Sequence, residues 1–230
     1  MPQHIGIVAC SAEGAALCYR TICLEGQQLL GEHNHPEVSM HTHPLAQYMK
    51  FAGTGDWAGV AELMLSSAEK LARGGADFLI CPDNTIHQAF DLVEHRAPRP
   101  WLHIAREVAR AARHSHFKRL AILGTRYLMA GPVYPEKLEE AGLEYRIPAP
   151  LAREEINRII FDELVQGQFL APSRAYLAEV IRGMKDEGCD AVVLGCTEIP
   201  LIVTPESSAL PVLDSTRLLA RAALRKAVNG

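Results

Sequence analysis

The chain has 230 residues, 48% of them hydrophobic, and its 23 basic and 27 acidic side chains give a net charge of −4. This length is sufficient for one large domain or two small ones with a buried core. The acidic balance argues against a nucleic-acid partner, because binding to phosphates requires clustered lysine and arginine. No apolar run approaches the roughly 20 residues of a membrane span, so no membrane association is expected.

The N-terminus and the cysteines together predict a cytoplasmic protein. The first four residues lead directly into an apolar stretch with no basic segment before it, so no secretory signal is expected. Without such a signal, the six cysteines are interpreted as reduced thiols rather than as a disulfide framework. They are Cys10, Cys18, Cys23, Cys81, Cys189 and Cys196.

Short apolar runs alternate with helical patterns along nearly the whole chain. In the first half of the chain, the pattern predicts a strand at 5–9, a helix at 13–30, a short strand or loop at 38–40, a helix at 56–74, a strand at 78–81, a helix at 84–93, an extended segment at 101–104 and a helix at 105–113. In the second half, it predicts a strand at 120–123, a helix up to 140, an extended segment at 143–147, and helices at 154–164 and 172–187. The last predicted elements are strands at 191–194 and 210–213 and a helix at 216–228. Strands separated by helices predict right-handed βαβ units and a mainly parallel sheet. The predicted fold class is therefore α/β.

A repeat at an offset of 113 residues connects the two halves of the chain. Residues 75–83 (GADFLICPD) align with residues 188–196 (GCDAVVLGC), matching a glycine and an aspartate before each strand. A second alignment, at an offset of 115, sets residues 7–10 against residues 122–125. Chance similarity between apolar strands is the simple alternative. The matched glycines, aspartates and helix faces favour a duplicated α/β half.

Such a duplication places two equivalent strand ends in position to bind one ligand. Ligands bind at the carboxyl ends of parallel strands, and two halves facing each other across a cleft would present those ends from opposite sides. Asp83-Asn84-Thr85 and Cys196-Thr197-Glu198 are the two ends. Each supplies an ionisable group followed by hydroxyl or amide donors at a predicted helix N-terminus, where a substrate carboxylate can be held.

Several segments resemble the aspartate/glutamate racemase superfamily, the cofactor-independent amino-acid racemases. The strongest resemblance is in residues 191–201 (AVVLGCTEIPL), followed by residues 210–217 (LPVLDSTR) and 159–164 (IIFDEL), and it covers nearly all of the chain. It implies two pseudo-symmetric domains, each a mainly parallel sheet flanked by helices, with the active site in the cleft between them. It also implies no cofactor, a small-molecule carboxylate or amino-acid substrate, and a homodimer.

The resemblance also implies the limits of the domains. The last helix of the family returns to the first domain, and the prolines near residue 100 suit a boundary. The first domain is accordingly predicted at 1–99 plus 212–230, and the second at 100–211.

In typical members of the family, two cysteines flank the substrate Cα, and one removes a proton while the other donates one. Cys196 matches the second cysteine, whereas Asp83 stands in the place of the first. The main hypothesis is an amino-acid racemase or epimerase with Asp83 and Cys196 as the acid/base pair. An exposed aspartate has a pKa of about 3.9 against about 8.5 for a thiol. Proton exchange by Asp83 would require burial or a neighbouring negative charge to raise that pKa.

Five further residues are predicted to bind the substrate, in most cases through its α-carboxylate. They are Ser11, Asn84, Thr85, Thr125 and Thr197. Asn84, Thr85 and Thr197 have a simpler interpretation as helix caps, as does Asp83, and Cys196 could be a small core residue. The histidines at 33, 35, 41 and 43 lack the cysteine or carboxylate spacing of a zinc site, so no metal is predicted. No phosphate-binding glycine loop is present, so no nucleotide is implied.

Two alternatives remain open for the function. One is a decarboxylase or cis–trans isomerase of a small carboxylic acid that works with Cys196 alone, because the superfamily also contains such enzymes. The other is a binding protein that lost the first catalytic base. Gln166 and Gln47 stand where aspartate-specific members carry basic residues, which disfavours acidic amino acids as substrates.

Overall fold

The computed structural model describes residues 1–230 and contains eight strands. The strands are β1 (Ile5–Ala9), β2 (Val38–Thr42), β3 (Phe78–Ile80), β4 (Trp101–Leu102), β5 (Arg119–Leu123), β6 (Glu144–Arg146), β7 (Ala191–Leu194) and β8 (Val212–Asp214). The α-helices are α1 (Ala12–Leu30), α2 (Leu45–Ala52), α3 (Trp57–Arg73), α4 (Asp91–Glu94), α5 (Ile104–His114), α6 (Arg126–Met129), α7 (Pro135–Glu140), α8 (Pro150–Arg158), α9 (Ala171–Asp186) and α10 (Ser215–Asn229). Tight 3-10 turns cover Thr85–Ala89, Leu164–Gln166 and Ile199–Leu201, and a π-helical turn covers Ile159–Glu163.

The chain divides into two compact units. The first unit contains Met1–Glu107 and Thr216–Gly230, and the second contains Val108–Ser215. Each unit has one four-stranded sheet, with the strand order β2-β1-β3-β4 in the first and β6-β5-β7-β8 in the second. All six strand pairings are parallel. The α/β fold with two mainly parallel, related sheets flanked by helices is confirmed.

Helices cover both faces of the first sheet, which explains why its central strands are apolar at successive positions. Ile5 and Ile7 of β1 pack in one cluster with side chains of α1 and α10, and Val8 packs in another with side chains of α3. Successive strand residues point to opposite faces. A strand with a core on either side therefore shows no polar alternation, and the run at 5–9 is one of the clearest strand signals in the sequence.

Two equivalent aspartates fix the start of the central strands in each sheet. Asp77 accepts a hydrogen bond from the backbone N–H of His4 at 2.8 Å, and its own N–H donates to the His4 carbonyl at 2.9 Å. In the second unit, Asp190 accepts from the N–H groups of Lys118 and Arg119 at 2.7 and 3.1 Å, and its N–H donates to the Arg119 carbonyl at 2.9 Å. The aspartates matched by the sequence repeat thus perform the same task in both units.

Four of the differences between the observed and the predicted helices concern α2, α6, α4 and α8. α2 and α6, which have eight and four residues, have too few turns to give a helical pattern and were not predicted. The helix predicted at 84–93 is a 3-10 turn followed by the single turn of α4. The helix predicted at 154–164 begins earlier, because Pro150 is preorganised for a first helical position. None of the helices combines the length and apolar composition needed to cross a membrane.

The chain is closely packed around Gly195, which lies directly after β7. A substitution at this position tests how much that packing contributes to stability. An alanine Cβ there would lie 2.9 Å from the Leu123 carbonyl oxygen and still closer to the Leu128 side chain. We expect Gly195→Ala to lower the free energy of unfolding by about 1–3 kcal/mol, measured by urea denaturation.

The matched control is Gly183 in α9, where a Cβ would meet no heavy atom within 4 Å. Gly183→Ala should raise the free energy of unfolding by up to about 1 kcal/mol, because alanine favours the helix. Equal effects of the two substitutions would contradict the packing argument.

Candidate functional site

The second unit places a thiol and a carboxylate in direct contact at the carboxyl end of β7. Cys196 Sγ donates a hydrogen bond to Glu198 Oε2 at 2.9 Å, and the Thr197 hydroxyl donates to the same oxygen at 2.7 Å. Glu198 and Thr197 are each only 3% exposed, and Cys196 is 9% exposed. The thiol proton therefore faces a buried acceptor that can take it.

The residues after Cys196 do not form the helix whose N-terminus was expected at Thr197. They turn once as a 3-10 segment, Ile199–Leu201, and the helical path ends there. Pro205 follows shortly and disfavours helical geometry at Thr204. The partial charge of a helix N-terminus grows with aligned peptides, so the local electrostatics of Cys196 depend on Glu198 rather than on a helix dipole.

Thr125 lies at the end of the neighbouring strand β5, where it caps the short helix α6. Its hydroxyl accepts a hydrogen bond from the Leu128 N–H at 3.2 Å, and it is 6% exposed. Arg126, beside it, is exposed, and its guanidinium lies over the Tyr127 ring at 4.9 Å. The threonine is thus buried at the carboxyl edge of the sheet, and the arginine is exposed to solvent.

In the first unit, Asp83 follows β3, as Cys196 follows β7 in the second. Asp83 Oδ1 accepts a hydrogen bond from the Ile86 N–H at 3.3 Å, so this half-buried carboxylate caps the 3-10 turn that begins at Thr85. Asn84 is 2% exposed and Thr85 is half-buried. The cap and the candidate catalytic carboxylate are therefore the same group.

Ser11, after β1, has the same capping geometry. Its hydroxyl accepts a hydrogen bond from the Gly14 N–H at 3.3 Å at the start of α1. Ser11 and Asp83 both follow central strands of the first sheet, and Thr125 and Cys196 both follow central strands of the second. The predicted site residues thus lie at the carboxyl edge of their own sheets, where open α/β sheets bind ligands.

His87 holds the backbone of the Asp83 turn from inside the core. Its Nδ1 lies 2.7 Å from the Asp83 carbonyl oxygen, and its Nε2 lies 3.4 Å from the Ile104 N–H. The carbonyl requires a donor and the N–H requires an acceptor, so this network assigns a neutral imidazole with its proton on Nδ1. Burial lowers the pKa of His87 to about 4, despite the opposing effect of the bond to Asp83.

Cys81, two residues before Asp83, is a protonated thiol at neutral pH. Burial raises its pKa well above the ordinary value, and the Asp83 carboxylate raises it further. Its Sγ lies 3.8 Å from the Asp83 carbonyl oxygen. Cys81 is therefore poorly suited to replace the missing first thiolate, although it is the nearest cysteine in sequence.

Two side chains near the candidate residues were not singled out from the sequence. Glu198 is the acceptor for Cys196, and its only signal was its place within the family-like segment. Tyr48 of α2 is buried, and burial, Cys81 and Cys10 all raise the pKa of its hydroxyl. No sequence pattern predicted α2, so nothing indicated that this phenol would lie near the end of β1.

The two glutamines that bear on substrate class are both exposed, Gln47 in α2 and Gln166 before Gly167. The histidines for which a metal was considered have polar partners of their own. His41 Nδ1 lies 2.9 Å from the Ser67 hydroxyl, and His43 Nε2 lies 3.2 Å from the Ser66 hydroxyl. These pairs attach the edge strand β2 to α3.

The neutral state of His87 predicts a pH dependence of stability. Its folded pKa, about 4, lies below the unfolded value of about 6.5, so the unfolded chain binds an extra proton between them. The stabilisation is complete above about pH 6.5 and is lost as the pH falls towards 4, by up to about 3 kcal/mol. Urea denaturation across this range should show a steeper loss for the wild type than for His87→Asn. Parallel pH profiles would contradict the assignment.

Comparisons with known proteins agree with this architecture. The sequence model of the Asp/Glu/Hydantoin racemase family matches residues 7–223. The broad specificity amino-acid racemase RacX of Bacillus subtilis is 24% identical over 198 residues, which are 85% of either chain.

Two solved structures are similar over almost their full length. An Asp/Glu racemase-like protein from Yersinia pestis is 30% identical with a TM-score of 0.90, and covers 98% of this chain and 99% of its own. An aspartate racemase homologue from Pyrococcus horikoshii is 27% identical with a TM-score of 0.85, and covers 99% and 100%. With the family match over nearly all of the sequence, the chain belongs to the Asp/Glu/Hydantoin racemase family, and its relatives are amino-acid isomerases.

Proposed function

We propose that the protein is a cofactor-independent amino-acid racemase or epimerase in which Cys196 exchanges the Cα proton on one face of the substrate and Asp83 exchanges it on the other. The observation that carries this proposal is the Cys196 thiol, hydrogen-bonded to a buried carboxylate at the end of β7. Asp83 supports it, because it occupies the equivalent place after β3 and keeps a titratable group there.

In one direction, the Asp83 carboxylate removes the Cα proton, so that an O–H bond forms and the C–H electron pair stays on Cα. The S–H bond of Cys196 then breaks, and its proton is delivered to the opposite face of Cα. The enzyme is left with protonated Asp83 and a Cys196 thiolate, which is the starting state for the reverse reaction. Proton transfer by positioned groups of this kind typically contributes factors of 10²–10⁴ to the rate.

The substrate carboxylate requires hydrogen-bond donors at the same strand ends. We assign this role to the side chains that lie at those ends in the two units, namely Ser11, Asn84, Thr85, Thr125 and Thr197. Of these, the Thr197 hydroxyl donates to Glu198 in the structure, so its O–H must turn away from Glu198 to donate to the substrate carboxylate. Ser11 and Thr125 accept backbone N–H groups through their hydroxyl oxygens.

The neutral Gln47 and Gln166 favour substrates without a distal carboxylate. RacX has a broad specificity by name, and the neutral side chains at positions 47 and 166 suit neutral amino acids. Within this proposal, the protein is cytoplasmic and forms a homodimer; size-exclusion chromatography with light scattering tests the second statement.

The decisive experiment follows exchange at Cα in D2O. Amino acids and small dicarboxylic acids are incubated with the protein, and the panel is monitored by proton NMR and chiral chromatography. We expect deuterium incorporation with inversion for the wild type and a loss of at least about 10²-fold for Cys196→Ala. Cys189→Ala is the matched control, because Cys189 is a buried thiol before the same strand. Full activity of Cys196→Ala would refute the assignment.

Asp83→Asn separates the proton-transfer role of Asp83 from its capping role. The asparagine oxygen still accepts the Ile86 N–H bond, so the free energy of unfolding should change by less than about 1 kcal/mol. The amide cannot exchange a proton, so deuterium incorporation should fall by at least about 10²-fold. Unchanged exchange would leave Asp83 as a cap only.

The cap at Ile86 is also the observation that favours the second candidate, an enzyme that works with Cys196 alone. A decarboxylase or cis–trans isomerase of this kind would release CO2 or change a double bond in the same panel, without inversion at Cα. The activity of such an enzyme would also be unchanged by the substitution Asp83→Asn.

A further inference from the structure

We propose that the Tyr48 hydroxyl is a hydrogen-bond donor for the substrate carboxylate at the carboxyl edge of the first sheet, and that a small shift of α2 brings it there. The identity of the ligand as an amino acid rests on the proposed function. The burial of the hydroxyl and its lack of a hydrogen bond are properties of the free protein.

The unsatisfied hydroxyl itself is the first argument. Tyr48 is 1% exposed, and its Oη is buried without a hydrogen-bond partner. The Ser67 hydroxyl lies near enough to oppose the rise of the Tyr48 pKa, but Ser67 Oγ is bonded to His41 Nδ1 at 2.9 Å. A buried polar group without a partner is costly, and native structures keep few of them. Because a phenylalanine would fill nearly the same space without that cost, we infer that the hydroxyl serves a state of the protein in which it is bonded.

The place of the side chain is the second argument. Tyr48 packs in one cluster with Cys10 and Cys81. Cys10 directly follows β1 and precedes Ser11. Cys81 directly follows β3 and lies two residues before Asp83. The phenol is therefore at the carboxyl ends of the two central strands, which is the edge where open α/β sheets bind ligands.

The fixed protonation of the phenol is the third argument. Burial raises the pKa of the Tyr48 hydroxyl well above its ordinary value, and Cys81, Cys10 and Asp83 raise it further. The hydroxyl therefore keeps its proton at neutral pH and is available as a donor. Of the two charged groups of an amino acid, the carboxylate only accepts hydrogen bonds and the ammonium group only donates them. A donor at this place is thus matched to the carboxylate.

The attachment of α2 is the fourth argument. Only two of its eight side chains, those of Tyr48 and Ala52, are buried, and no side chain caps its N-terminus. Elements with few buried apolar contacts belong to the least stable parts of a fold. A shift of α2 therefore leaves the sheet intact and carries the hydroxyl towards a ligand at the strand ends.

The stability of the free protein supplies the first test. Tyr48→Phe removes a hydroxyl that makes no hydrogen bond, so the midpoint of urea denaturation should stay the same or rise. The matched control is Tyr134→Phe. Tyr134 is also 1% exposed, but its hydroxyl has a hydrogen bond with Ser215, so this substitution should lower the midpoint. A lower midpoint for Tyr48→Phe would mean that its hydroxyl is bonded in the free protein, and would overturn the proposal.

Ligand binding supplies the second test, in a cycle that changes the protein and the ligand together. The dissociation constants of the wild type and of Tyr48→Phe are measured by calorimetry for the amino acids of the D2O panel and for their amides. In an amide, a neutral carboxamide replaces the carboxylate. For the acids, Tyr48→Phe should weaken binding by about 10- to 100-fold, because the bond from the phenol to a charged acceptor is lost. For the amides, the same substitution should have a much smaller effect.

Kinetics separate this contact from a structural role of Tyr48. The bond to the carboxylate is present before and during proton transfer, so Tyr48→Phe should raise KM for deuterium exchange by a similar factor with little change in kcat. A loss that is equal for the acids and the amides would mean that the hydroxyl does not contact the carboxylate, and would refute the proposal.

Failure of the racemase gives a different result, because calorimetry measures binding without turnover. If the wild type binds an acid but does not exchange its Cα proton, the racemase is refuted, and the difference between acid and amide still decides the role of Tyr48. If the wild type binds no member of the panel, both proposals are refuted.

Discussion

Each half of this molecule depends on the parallel pairing of its two central strands, β1 with β3 and β5 with β7. Asp77 and Asp190 fix where those pairings begin, through reciprocal bonds with the backbone of the partner strand. Once the start of each ladder is fixed, both strands of a pair must end at the same edge. The chain leaves the hydrogen-bonded ladder there, so its side chains and backbone groups are available for chemistry. The positions of the candidate site residues are therefore a consequence of the register of the strand pairs.

The positions of the site residues could be predicted from the sequence, but their contacts could not. The strand at 191–194 has the predicted bounds, because an apolar run between glycines gives an unambiguous pattern. The contact between Cys196 and Glu198 was hidden, since residues two apart on a helix point to different sides. Cys196 and Glu198 lie in the bend and turn that precede the 3-10 segment, and this path, in place of the expected helix, brings the thiol and the carboxylate together. A short departure from regular structure thus determines which side chain contacts Cys196.

In the first unit, too, the structure shows a contact that the sequence did not reveal. His87 is a packed core residue that also holds the turn at Asp83, because the buried imidazole donates to the Asp83 carbonyl and accepts from the Ile104 N–H. Such a bridge depends on where α5 begins, and nothing in the residues around position 83 encodes that. Long-range contacts of this kind remain outside any argument from local pattern.

The candidate acid/base group is a carboxyl group, Asp83, after β3 and a thiol, Cys196, after β7. This difference between the two groups is compatible with a racemase. A carboxyl group and a thiol differ by more than four pKa units in water, which suggests that one direction would be favoured. The two enantiomers nevertheless have equal free energies in water, so the equilibrium constant is one and kcat/KM must be equal in both directions. The asymmetry can change only how kcat and KM are divided between the enantiomers. Unlike acids on the two faces of Cα are therefore no obstacle to catalysis in both directions.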